Sequence, residues 1–101
     1  MRKNKKIVDL VVDAASDKIL FSLISKDKTY TNEHENCRKN FDKFSILLMN
    51  FLKKKQFSFK KVRNVFINQG PGKYTSIRTS MAIIKALQLV YGFNYYGFNN
   101  K

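Results

Sequence analysis

The 101-residue sequence contains one proline, four glycines, one histidine and a single cysteine, Cys37. One cysteine closes no internal disulfide, and with no second cysteine or nearby histidine pair it offers no structural metal site. Acidic residues are scarce too, seven against twenty lysines and arginines. Asp42 is the sole carboxylate side chain after residue 40, so a two-metal nuclease cluster is poorly supplied. No uninterrupted apolar run approaches the roughly 20 residues that span a bilayer. The basic start Met1 to Lys6 leads into a segment broken by Asp9 and Asp13. Neither a membrane helix nor a secretion signal is expected, and a reducing cytoplasm is the compartment that fits. The chain also lacks internal repeats, low-complexity tracts and any linker rich in Pro, Gly or Ser.

What is present is enough for one packed core: 44% of residues are apolar, with nine Phe and five Tyr. The length suits a single domain. Net charge is +13 and uneven, with nine basic and six acidic residues before position 41 and eleven against one after it. The densest stretch holds Lys53, Lys54, Lys55, Lys60, Lys61 and Arg63 with Phe57 and Phe59 between them. Such a patch attracts phosphate backbones, which makes these six residues candidates for RNA contact. A solvated helix end is the blander account and the favoured one, since a charge run alone is weak evidence of a contact.

Branched residues predict a strand over Ile7 to Ala14 and a second over Lys18 to Lys26, joined by a short turn. Thr29 to Glu35 reads as a polar edge strand. From Asn40, a plausible cap, the apolar period becomes three and four at Phe41, Phe44, Leu47, Leu48, Phe51 and Leu52, predicting a helix that ends in the lysines. Val62 to Asn68 reads as a buried strand, Thr75 to Tyr91 as a second helix capped by Gly92, and Phe93 to Phe98 as a last strand. Asn99 to Lys101 reads as a frayed polar end. A meander followed by two right-handed crossovers gives a five-stranded mixed α/β sheet of order 3-2-1-4-5 with two helices on one face. The opposite face is then bare. Ile19 to Ile24 nevertheless reads as apolar on both sides, so a cover for that face, or self-association, is expected, with Ile19, Leu20, Phe21, Leu23 and Ile24 partly wet in a monomer.

Gly70-Pro71-Gly72-Lys73-Tyr74-Thr75 joins a strand to a helix start. Amides at such a junction, with Lys73 and Thr75, suit a phosphate or carboxylate, but Tyr74 and Thr75 break both common nucleotide-binding patterns. A rigid turn with a helix cap is the competing account. Asp9 and Asp13 share one face of the first strand, where they fit either a magnesium pair or turn bonding. His34 reads as a solvated surface residue between Glu33 and Glu35, Cys37 has no positioned base, and Tyr91, Tyr95 and Tyr96 read as core rather than as base-stacking groups. No catalytic residue, metal or cofactor is assigned.

On the segment Gly70 to Arg78 the chain resembles the TsaB family (YeaZ, glycoprotease-like), whose pattern there is Gly-Pro-Gly-Ser-Phe-Thr-Gly-x-Arg. The likeness extends to Ala82 and Lys85, to Val11 through Ser16, which is similar to the family's apolar run ending in Ile-Asp-Thr-Ser, and to nearly the whole element order. The resemblance implies an actin-like ATPase (RNase H-like) fold, with residues 1–101 forming one N-terminal-type domain and the family's second domain absent. It further implies a non-catalytic scaffold in the tRNA threonylcarbamoyladenosine modification machinery. Its implied partners are a TsaD-type transferase and a second copy of itself, with Phe41, Phe44 and Leu48 of the first helix and Ile77, Arg78, Met81 and Lys85 of the second at the contact. A basic tRNA-binding module and a vestigial nucleotide phosphatase are the alternatives.

Overall fold

The computed structural model describes residues 7–99; the basic start Met1 to Lys6 and the last two residues of the expected polar end lie outside them. Strands β1 (Val8–Asp13), β2 (Lys18–Ile24) and β3 (Thr29–Glu35) form an antiparallel meander. Two helices follow, α1 (Arg38–Phe41) and α2 (Phe44–Lys54), then a 3-10 turn at Phe59–Lys61. Strand β4 (Val62–Asn68), helix α3 (Tyr74–Tyr91) and strand β5 (Asn94–Phe98) complete the chain. The sheet order is β3-β2-β1-β4-β5, with β4 parallel to β1 and β5 parallel to β4. This is the expected topology, and handedness explains it: both crossovers step the same way across the sheet and so lay both helices on one face.

Alternation fixes which side chains that face receives. Val8, Leu10 and Val12 of β1, Ile19, Phe21 and Leu23 of β2, and Val65 and Ile67 of β4 are buried in one cluster with Phe44, Leu48, Phe51 and Leu52 of α2 and Ile84 of α3. Phe21 is its centre, edge-on to Phe44 at 5.4 Å and stacked near Phe51 at 6.2 Å. Ile19, Phe21 and Leu23 are 0% exposed, so the expectation that they are partly wet is corrected: α2 covers them. Only Leu20 and Ile24 carry the apolar character of β2 to the far face.

The first helix departs from the sequence reading. It is two helices broken at Asp42 and Lys43, and Asn40 caps neither, because it lies inside α1 and its Nδ2 donates to the Glu35 carbonyl at the end of β3 (2.9 Å). Helix α2 ends in paired backbone bonds, Phe57 N to Leu52 O and Gln56 N to Lys53 O, both 2.9 Å. That closure requires a left-handed residue, and Gln56 takes the role at φ 66° where glycine is usual. Gly92 ends α3 in the same conformation, as its sequence position predicts.

Candidate partner-binding site

The site is built where β4 passes into α3. Asn68 is buried at the strand end, and its Oδ1 accepts the Gly70 N–H at 2.8 Å. Gly70 sits at φ 98° before a cis bond to Pro71. Gly72 then lies against the β1–β2 turn so closely that an added Cβ would fall 2.9 Å from the Ala15 carbonyl carbon and nearer still to its oxygen. The next amide, Lys73 N, donates to that oxygen at 2.9 Å. Lys73 Nζ also lies 3.6 Å from Asp17 Oδ1, but both groups are exposed and the pair adds little.

A second tie comes from Asn36, which the sequence reading did not single out. Its Nδ2 donates to Ala14 O and Ser16 O (3.0 and 2.8 Å), and its Oδ1 accepts the Ser76 hydroxyl at 2.9 Å. One amide thus locks the β1–β2 turn, the end of β3 and the start of α3 together. Gly72 therefore serves close backbone packing and Gly70 a positive φ, which is the rigid-turn account of the motif.

Two open clefts flank exposed Tyr74. One, of about 550 Å³, brings together Phe41, Cys37 and Arg38 from the α1 side with Thr75 and Ser76 from α3. The other, of about 540 Å³, is lined by Pro71 and Gly72 with Ile77, Arg78, Met81 and Lys85. Four of the seven expected contact residues therefore share one groove, and Phe41 lies half-buried in the neighbouring cleft. Arg78 Nη1 donates to Tyr74 Oη at 2.6 Å, which holds the ring as the ridge between the clefts. Lys85 Nζ sits 5.3 Å from the Tyr95 ring centre. Burial raises the Tyr95 phenol above its ordinary pKa, with Gln69 beside it pulling the other way without a formed hydrogen bond.

Phe44 and Leu48 are placed differently. They are 1% and 0% exposed inside the chain's own core, so they have no surface to offer a partner, and their assignment to a contact is corrected. Exposed Ile46 and Met49 occupy the outer side of α2 instead.

The remaining candidates separate. Asp13 Oδ1 accepts the Ala15 N–H (3.0 Å), and Asp9 Oδ1 accepts Asn64 Nδ2 (3.0 Å) with Arg63 Nε 3.8 Å away. Both carboxylates thus have structural partners, and the described residues contain no cluster of three or more His, Cys, Asp or Glu suited to a metal. His34 is not the solvated residue expected: it lies on the core side of β3, its ring 6.1 Å from Phe21 and its Nε2 buried without a hydrogen-bond partner. Lys53 and Lys54 close α2, Lys55 Nζ sits 5.1 Å from the Tyr30 ring, Lys60 and Lys61 form the 3-10 turn, and Arg63 stands at a bulge opposite β1. No described helix is long and apolar enough to cross a membrane.

The sheet order and the pair of helices on one face place the chain in the actin-like, RNase H-like class of α/β folds. Among solved structures that share it is YeaZ from Pseudomonas aeruginosa, with a TM-score of 0.84 and 13% identity, covering 93% of this chain and 44% of that one. A second Pseudomonas aeruginosa structure, an uncharacterized protein with similarity to peptidase YeaZ, matches with the same values, TM-score 0.84 and 13% identity over 93% and 44% of the two chains. RuvC of T. thermophilus, in complex with a Holliday junction substrate, matches with TM-score 0.58 and 4% identity over 95% of this chain and 65% of that one. No protein-family model and no curated protein sequence matches the chain. The chain spans less than half the length of the YeaZ structures, and at these identities the likeness is one of fold.

Proposed function

We propose that this chain is a TsaB-like, non-catalytic scaffold subunit that binds and supports a TsaD-type transferase in forming threonylcarbamoyladenosine on tRNA. The observation that carries this reading is the α3 groove of exposed Arg78 and Lys85 and half-buried Met81, with Ile77 buried at 5% exposure beneath them, set against the latched Gly-Pro-Gly loop in a domain with the fold of YeaZ. A groove backed by a rigid loop and offering apolar side chains beside cations is suited to a protein contact. Residues 1–101 form one N-terminal-type domain, the compartment is the cytoplasm, and in isolation the same helix face pairs two copies. The structural bonds made by Asp13, and a β1–β2 turn without glycine, support an accessory role over hydrolysis. Binding to a TsaD-type transferase is the test. Met81→Asp and Arg78→Glu should each weaken it at least about tenfold, on the order of 1–2 kcal/mol, while circular dichroism stays native. Affinity unchanged in both variants contradicts the placement.

The lysine-rich end supplies tRNA contact within the same complex. Replacing Lys53, Lys54 and Lys55 with Gln should lower the salt slope of tRNA association by up to about 2.7, at roughly 0.9 for each phosphate no longer neutralised. An unchanged slope assigns these lysines to solvent.

A further inference from the structure

The sheet face turned away from α2 and α3 carries the opposite charge to the chain as a whole. Strand register and alternation put Asp9, Val11 and Asp13 of β1 on it, with Leu20, Ser22 and Ile24 of β2 and Thr29, Thr31, Glu33 and Glu35 of β3. Four of the seven acidic residues of a +13 chain thus share one surface: Asp9, Asp13, Glu33 and Glu35. The five strands contribute only two basic residues, Lys18, which is paired in register with Glu35, and Arg63, beside Asp9. The face also carries polar Ser22, Thr29, Thr31, Asn64 and Asn94, hydrogen-bonded as the pairs Ser22–Thr31 and Asn64–Asn94, and between them an apolar stripe. Ser22, Val11, Phe66 and Tyr96 stand in one row across four strands, and the Phe66 and Tyr96 rings stack at 5.3 Å. Ile24, Tyr96 and Phe98 are 41%, 48% and 37% exposed.

Three physical constraints select what fits there. The sheet's inner strands have already paired their backbone groups, so an occupant must satisfy its own, as a helix does. Five strands at about 4.8 Å spacing give a face roughly 20 Å wide, room for one or two helices about 10 Å apart. A second copy laid face to face would set Asp13, Glu33 and Glu35 of both chains against each other, and a nucleic acid would meet the same repulsion. We infer that this face docks an amphipathic helix of a partner protein, apolar along one stripe and bearing lysine or arginine on the flank that crosses β1, β2 and β3. The inference is independent of the α3 groove, and Met81→Asp leaves it untouched.

Two synthetic helical peptides of about 14 residues, roughly four turns, test it: both carry the same leucine stripe, one flanked by lysine and the other by glutamate. The chain's net charge of +13 favours the glutamate peptide, so the opposite preference reports the local face. At low salt the lysine peptide should bind about tenfold more tightly. Glu33→Lys with Glu35→Lys should reverse the order, and Tyr96→Asp, at a half-exposed position on an edge strand, should weaken both peptides about tenfold or more. If that variant fails to fold, Phe98→Asp takes its place. Tighter binding of the glutamate peptide, no binding of either, or a preference that survives the double glutamate variant overturns the inference. So does a wild-type dimer that Tyr96→Asp dissolves, which would give the face to a second copy.

Discussion

Replacing Gly72 with alanine should lower the melting temperature by about 8–30 °C. The added Cβ has no room, since it meets the Ala15 carbonyl group, which is backbone and cannot swing away. Relief requires the loop to lift from the β1–β2 turn, and lifting it breaks the Lys73 N to Ala15 O bond and strains the start of α3. Overpacking of this kind costs about 1–3 kcal/mol and the broken bond about 1 more, and a domain of this size loses roughly 4–8 °C for each kcal/mol. Gly92→Ala is the control. Its φ of 76° is unfavourable for alanine but no atom lies within 4 Å, so only a conformational cost of about 1 kcal/mol is expected there. Thermal melts followed by circular dichroism decide it, and a Gly72→Ala melt within about 2 °C of wild type would show that the loop is not latched.

Phe44→Ala should cost about 3–5 kcal/mol of folding stability. The ring is 1% exposed and meets Phe21 edge-on, so its removal leaves a cavity beneath α2 and strips the central aromatic of a partner. A surface residue kept for a partner would behave otherwise: Ile46→Ala, at a position 58% exposed, should stay within about 0.5 kcal/mol. Urea unfolding measures both. A midpoint for Phe44→Ala equal to that of Ile46→Ala would return Phe44 to the surface and to the partner contact.

That pair of residues also shows how far the sequence could be read. Spacings of three and four identify an apolar helix face at Phe44 and Leu48, but a buried face and a partner-facing one obey the same period, so periodicity cannot say which surface meets it. Strand order was legible because crossover handedness leaves few choices once β1 to β5 are recognised. The break at Asp42 and Lys43 was not, because Asn40 looks like a cap in sequence and spends its amide on Glu35 O in space. Asn36 was invisible for a related reason. Its bonds to Ala14, Ser16 and Ser76 join residues 20 to 40 positions apart, and no local pattern announces a polar side chain that closes three loops at once. The acidic sheet face was hidden by the net charge, although alternation in β1 and β3 encodes it. In the groove, Ile77 and Met81 were legible from helical spacing as one side of α3, whereas Arg78 and Lys85 were implied only by the resemblance to the TsaB family. Tyr74 as the ridge beside them depended on a hydrogen bond that spacing does not reveal.

The scaffold reading is tested most directly by threonylcarbamoyl transfer to tRNA by a TsaD-type transferase from the same cell, with the modified nucleoside quantified with and without this chain. Added wild-type chain should raise product formation at least about tenfold, and the double variant Arg78→Glu, Met81→Asp, folded by circular dichroism, should leave it at the level without the chain. Product formation that is indifferent to the wild-type chain, or equally raised by the double variant, would contradict the account.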